Sequence, residues 1–162
     1  MPGGKDISNG AIGACPSIVY LERNRLNKLL VRAMDYPLVI VCAGAGYGKT
    51  RAVDSFLQEK DTHTAWIQLS ERDNAPTRFW ENYTSMISMS WPEAGARLGK
   101  MGFPVTEGAF SEYVEKIHTI TARPGKHVRV FDDFHLLHNR EIMHFFERAV
   151  CVIPPDLTLI LI

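Results

Sequence analysis

The sequence has no excess charge of either sign: Lys and Arg together number 18, Asp and Glu together number 18, and the isoelectric point lies near 7. Without a basic surplus there is no broad positive field to hold a phosphate backbone, so this chain is not expected to be a DNA-reading element itself. Long apolar runs are missing as well. None approaches the ~20 residues of a membrane-spanning helix, and the opening MPGGKDISNGAIGACP lacks the apolar stretch of a secretory signal. These two absences predict a cytoplasmic protein. Cysteine is scarce: Cys15, Cys42 and Cys151 are odd in number and have neither metal nor redox spacing, so all three are read as reduced thiols. Cys42 and Cys151 are expected to be small core residues.

What is present is enough hydrophobic material, 46% of residues, to fill the core of one soluble domain. Residues 1–16 are rich in Gly, Pro, Ser and Asn without periodicity and read as a flexible N-terminal tail; residues 17–162 read as the core domain. Within that core, Leu21, Leu26, Leu29, Leu30 and Ala33 recur at helical spacing until Pro37 stops the pattern. LVIVCA, Leu38 to Ala43, is continuously apolar and β-branched, as in a strand covered on both faces of a parallel sheet. A helix through Phe56 and Leu57 should follow, then a second strand, TAWIQLS. ERDNAP is turn material in which Asp73 or Asn74 would cap the next helix. That helix carries Phe79, Trp80, Tyr83, Met86 and Ile87 on one face, read as core.

WPEAGARLGKMGFPVTEG, with its glycines and prolines, reads as a long loop with room for a short helix whose position the pattern does not fix, followed by an amphipathic helix from about Ala109 to Thr121. HVRVFDD is a third strand ending in two carboxylates, REIMHFFERAV a helix stopped before Pro154 and Pro155, and LTLILI a fourth strand. Arg129 interrupts the third strand, which predicts either an ion pair or a more exposed strand face. His135, His138 and His144 belong to no plausible ligand spacing and are expected at the surface or as caps. Alternating strands and helices predict an α/β domain with a parallel sheet.

The chemistry concentrates where the first strand ends. Ala43-Gly44-Ala45-Gly46-Tyr47-Gly48-Lys49-Thr50 matches the phosphate-binding pattern G-x-x-x-x-G-K-[ST] except for alanine at its first position. Glycines let backbone N–H groups curl round a polyphosphate, and the helix that follows presents its positive end. Lys49 would reach the β and γ phosphates, and the Thr50 hydroxyl would ligate Mg²⁺. A magnesium nucleotide also needs a carboxylate at the end of a neighbouring strand, because the ion keeps several waters. VFDDFH supplies Asp132 for the metal and Asp133 as the group that orients a hydrolytic water.

These segments resemble the large ATP-dependent LuxR-type transcriptional regulators, whose NTPase belongs to the STAND class. AGAGYGKT is similar to that family's Ala-Pro-Ala-Gly-Tyr-Gly-Lys-Thr, TAWIQLSERDNAPTRFWENY to its second strand and Arg-Phe-Trp helix start, and VFDDFHLLHNREIMHFFERAVCVIPPDLTLILI to its Asp-Asp-Tyr-His segment, Pro-Pro turn and fourth strand. The resemblance implies a P-loop NTPase three-layer sandwich with strands ordered 1-4-3-2. It implies that Gly44, Ala45, Gly46, Tyr47, Gly48, Lys49 and Thr50 surround the phosphates of ATP or ADP, with Arg51 next to them, and that Asp132 and Asp133 serve Mg²⁺ and water. YLERNRL aligns with the family's segment near the adenine, through Arg23 and Arg25. Gly44 stands where the family has proline, and Arg51 where it often has threonine.

By the same resemblance the chain is expected to be a piece of a longer regulator, ending where the family continues into a sensor residue, a fifth strand, winged-helix and repeat domains and a DNA-binding domain. Its partners would be nucleotide, the rest of the regulator, a second copy joined along an apolar edge at Leu38 to Cys42, and DNA only through that distant domain. Function is then a slowly hydrolysing ATP switch. The alternatives are a P-loop phosphotransferase or an interaction module with a vestigial P-loop.

Overall fold

The structure, a computed structural model, describes residues 24–122 and 124–162. The tail at 1–16, Cys15, Leu21 and Arg23 lie outside the described residues. Helix α1 (Asn24–Ala33) leads to strand β1 (Leu38–Ile40), α2 (Lys49–Gln58), β2 (Thr62–Gln68), a short 3-10 turn (Glu71–Asn74) and α3 (Pro76–Ser90). Then come α4 (Pro92–Met101), α5 (Glu107–Thr121), β3 (Lys126–Asp132), a second 3-10 turn (Phe134–Leu136), α6 (Arg140–Val150) and β4 (Leu157–Leu161). All strand pairs are parallel and the sheet order is β1-β4-β3-β2, the expected arrangement.

Strand alternation divides the core between the two faces of the sheet. Val128 and Val130 pack with Leu30, Val53, Phe56 and Leu57 of α1 and α2. Phe131 faces the other way, into a larger cluster with Phe79, Trp80, Tyr83, Phe145 and Phe146. The aromatic face of α3 is buried as its periodicity predicts, with Phe79 and Ile87 at 0% exposure.

Five expectations are corrected. The supposed loop at 92–101 is helix α4. Its prolines and glycines misled: Pro92 occupies the first turn, where a missing N–H does no harm, and Gly95 is a contact residue. A Cβ there would lie 1.9 Å from Ser88 Oγ and 2.6 Å from the Thr84 carbonyl, so the glycine lets α4 rest on α3. Trp80 Nε1 donates to the Leu98 carbonyl at 3.0 Å across the same contact.

Cys42 and Cys151 are exposed rather than core. β1 ends at Ile40, so Cys42 falls in the loop beyond it, and Cys151 lies past the last turn of α6. Nor is β1 covered throughout: it stands at the edge of the four described strands, with Ile40 62% exposed.

Arg129 is buried, yet among the described residues no carboxylate pairs with it. Its Nη1 donates to the Tyr83 hydroxyl at 2.7 Å and its guanidinium lies 5.7 Å from that ring's centroid. A delocalised cation against aromatic faces tolerates desolvation better than a point charge does. The Tyr83 hydroxyl shares a 2.9 Å hydrogen bond with that of Tyr113. Burial, and after it the neighbouring Tyr83, hold the Tyr113 hydroxyl well above its ordinary 10.0.

That shift has a sign. The folded chain keeps the Tyr113 proton more tightly than the unfolded chain, so the associated stability is complete below pH 10 and is lost as pH rises from there toward the folded value. Tyr113→Phe is therefore expected to flatten the decline of the denaturation midpoint above about pH 10, where free tyrosine titrates. Urea melts of both proteins across the alkaline range check this, and parallel declines would refute it.

Lastly, neither Asp73 nor Asn74 caps α3, whose N-cap is Ala75. Asp73 closes its own turn by accepting from the Ser70 backbone N–H and hydroxyl at 2.8 and 2.6 Å, and it also accepts from Asn82. Asn74 reaches across to the segment after β3: it donates to the Leu136 carbonyl at 2.9 Å and accepts from the His138 and Asn139 N–H groups at 2.7 and 3.0 Å.

Candidate functional site

At the C-terminal end of the sheet, the chain leaves β1 in a loop that ends at the first turn of α2. Gly46 and Gly48 sit at φ 78° and 72°, a left-handed backbone that side chains resist, so these two glycines allow the loop to turn into the helix. Gly48 is the N-cap of α2 and brings no side chain to its end, leaving the first N–H groups of the helix open to an anion. The loop from Ala43 to Gly48 is exposed throughout, and Tyr47 is 67% exposed. A Cβ at Gly44 would lie 3.2 Å from the Tyr47 ring, so a residue larger than glycine there would crowd that ring.

Lys49, Thr50 and Arg51 form the first turn of α2. Lys49 Nζ donates to the carbonyls of Ala43 and Gly44 at 3.0 and 3.4 Å, laying its cation along the inside of the loop. Thr50 Oγ1 donates to Asp132 Oδ1 at 3.1 Å. Asp132 ends β3 on the face that carries Val128 and Val130, the α2 side, and it is 1% exposed. β4 stands between β1 and β3, so the loop and Asp132 meet across the end of one intervening strand.

The two Asp132 oxygens differ. Oδ1 accepts from Thr50 and from the Asp133 N–H at 3.0 Å, whereas Oδ2 is buried with no hydrogen-bond partner. A buried carboxylate oxygen with nothing to accept from is costly unless a cation or its water shell completes it. This orphaned oxygen beside a threonine hydroxyl, all hard oxygen donors, fits Mg²⁺.

Asp133 follows at φ 55° and ψ 38°; among the described residues it is the one non-glycine with positive φ. Its Oδ2 accepts from Gln68 Nε2 at 2.5 Å and its Oδ1 lies 3.9 Å from His135 Nδ1. Gln68 escaped the sequence reading. Its one signal was a polar residue closing an apolar strand, and its meaning depends on the register that sets it opposite Asp132. Arg25 is exposed in the first turn of α1, apart from the cluster's hydrogen bonds, and His135, His138 and His144 stand at the surface.

A second concavity, a cleft of about 660 Å³, opens between the start of α4 and the middle of α5, lined by Trp91, Glu93, Arg97, Glu115 and Lys116 among others. Trp91 lies against His127 at the opposite end of β3, roughly 16 Å along the strand from Asp132. Its Glu93 lies 3.9 Å from Arg97, and no glycine is among the residues that line it.

No family model matches the chain. It is 31% identical over 147 residues to the HTH-type transcriptional regulator MalT of Vibrio cholerae, 31% over 144 residues to that of Cronobacter sakazakii and 31% over 153 residues to that of Serratia proteamaculans. Each alignment covers 86% of this chain, and the chain spans 16% of the length of these relatives. Among solved structures, the Walker-type ATPase PABY2304 of Pyrococcus abyssi has a similar fold, with a TM-score of 0.56 at 17% identity over 86% of this chain and 44% of that one. No helix of the described residues is long and apolar enough to cross a membrane.

Proposed function

We propose that this chain, a MalT-like P-loop NTPase domain by its sequence likeness and fold, binds Mg-ATP and acts as the nucleotide switch of a larger transcriptional regulator. The observation that carries the reading is the buried, half-satisfied carboxylate of Asp132 in contact with Thr50 at the start of the helix that follows the glycine loop. Backbone N–H groups from Gly44 to Thr50 would cradle the phosphates, and Lys49 would exchange its loop carbonyls for phosphate oxygens. Arg51 is a further phosphate-side candidate, and Arg23 and Arg25 remain candidates near the base. Thr50 and Asp132 would hold Mg²⁺, which when bound supplies positive charge to the β and γ phosphates.

Asp133 is the candidate for orienting water. The water oxygen would bond to the γ phosphorus, the bond to the ADP oxygen would break, and the water's proton would pass to the Asp133 carboxylate and on to solvent. In the reading proposed here hydrolysis is slow, since its task is to time a switch between ATP and ADP forms, each favouring a different assembly of the regulator. Self-association through the exposed edge of β1, and DNA contact through a remote domain, belong to the same proposal.

Calorimetric titration tests it. Wild-type chain is expected to bind Mg-ATP and Mg-ADP, with Lys49→Ala losing at least about a hundredfold in affinity, the effect of removing a charge-assisted phosphate contact. Equal affinity in both proteins would reject a working phosphate site.

A further inference from the structure

Asp133 is not free to face the glycine loop. Its Oδ2 is hydrogen-bonded to Gln68 Nε2 at 2.5 Å, and Gln68 closes β2, which lies on the far side of β3 from β4 and β1. The carboxylate is thus drawn toward one edge of the sheet while the glycine loop leaves from the other. The backbone around it is fixed: the left-handed conformation at Asp133 is followed by a segment that Asn74 grips at Leu136, His138 and Asn139. With both turns pinned together, rotation of the Asp133 side chain is the movement left for bringing its carboxylate to a nucleotide.

We propose that Gln68 is a positioning residue, a latch that holds the Asp133 carboxylate on the β2 side until bound nucleotide draws it away. The inference rests on the reading of Asp133 as the group that orients water. A left-handed, non-glycine residue is a strained conformation of the kind that collects at functional sites, and here it holds a carboxylate that a neighbouring strand captures through the Gln68 side chain. A hydrogen bond from a neutral amide to a carboxylate is strong enough to bias a rotamer and weak enough to be exchanged for a water on a γ phosphate. Gln68 thereby ties hydrolysis to the position of β2 and its turn, and through them to whatever contacts that edge of the sheet.

Two measurements on the chain test this. In the nucleotide-free protein the Gln68 side-chain amide resonance is expected away from the position of free glutamine, and to return to it in Asp133→Ala; a free-glutamine position in wild type overturns the latch, whatever the nucleotide does. In single-turnover hydrolysis Gln68→Ala is expected to be about five- to tenfold faster than wild type, the population shift that loss of one modest hydrogen bond produces, with the affinity for Mg-ATP equal to or above that of wild type. Gln68→Glu, isosteric but unable to donate when ionised, is expected to follow it. A rate equal to or below wild type in both variants refutes the latch while leaving the nucleotide site intact. Absence of Lys49-dependent Mg-ATP binding in a folded wild-type chain would instead overturn the proposed function, and the latch with it.

Discussion

Asp132→Asn is expected to move two quantities in opposite directions. In the absence of nucleotide the variant should melt higher than wild type. Asp132 is 1% exposed and its Oδ2 has no hydrogen-bond partner, so the wild-type fold carries a buried and half-satisfied anion. Asparagine keeps an oxygen to accept from Thr50 Oγ1 and the Asp133 N–H, as Oδ1 does now, and removes the charge. Relief of an incompletely paired buried charge is worth on the order of 1–2 kcal/mol, offset in part by the new amide's own need for an acceptor. For binding the sign reverses. The same charge is the group that would meet Mg²⁺, so affinity for Mg-ATP should fall about a hundredfold, whereas affinity for ATP in excess chelator should change little. Thermal melts with and without nucleotide, beside titrations with and without magnesium, separate the two effects. A variant that is less stable without ligand would show that Asp132 is held for the fold rather than for an ion.

The second large effect is on stability. Phe79→Ala should destabilise the chain by about 3–5 kcal/mol, the usual cost of a large cavity in an aromatic core. Phe79 is 0% exposed and its ring meets those of Tyr83, Phe103, Phe145 and Phe146 at centroid distances of 6.0, 6.2, 6.2 and 5.6 Å, so α3, α6 and the segment after α4 all rely on it. Against a total stability of roughly 5–15 kcal/mol for a domain, that loss removes a fifth or more of it. Met89, 83% exposed on the same helix, is the control: Met89→Ala should lie within about 0.5 kcal/mol of wild type. Chemical denaturation of the two variants decides it, and similar midpoints would mean that the core collapses around the missing ring.

The parts of the fold that were legible in the sequence are those whose cause is periodic. The apolar runs of β3 and β4 and the aromatic face of α3 state their own burial, and the strand–glycine–helix passage around Lys49 marks the candidate site by its residues alone. What escaped depends on neighbours that the local sequence does not name. α4 was hidden because Gly95 serves helix contact rather than chain reversal. Arg129 seemed to demand a carboxylate, but the hydroxyl and ring of Tyr83, 46 residues away, accommodate it. Asn74 looked like a cap because caps are local, yet its partners are more than sixty residues further on. Gln68 acquires a role only through the register that sets β2 beside β3.

Hydrogen exchange of the chain with and without Mg-ATP tests the central claim most directly, because it reports where the nucleotide lies. The site described here predicts slowed exchange at Gly44 to Ala52 and around Asp132 and Asp133, with the cleft between α4 and α5 unchanged. Protection confined to Trp91 to Arg97 and Glu115 to Ile120, with the glycine loop exchanging as before, would contradict it.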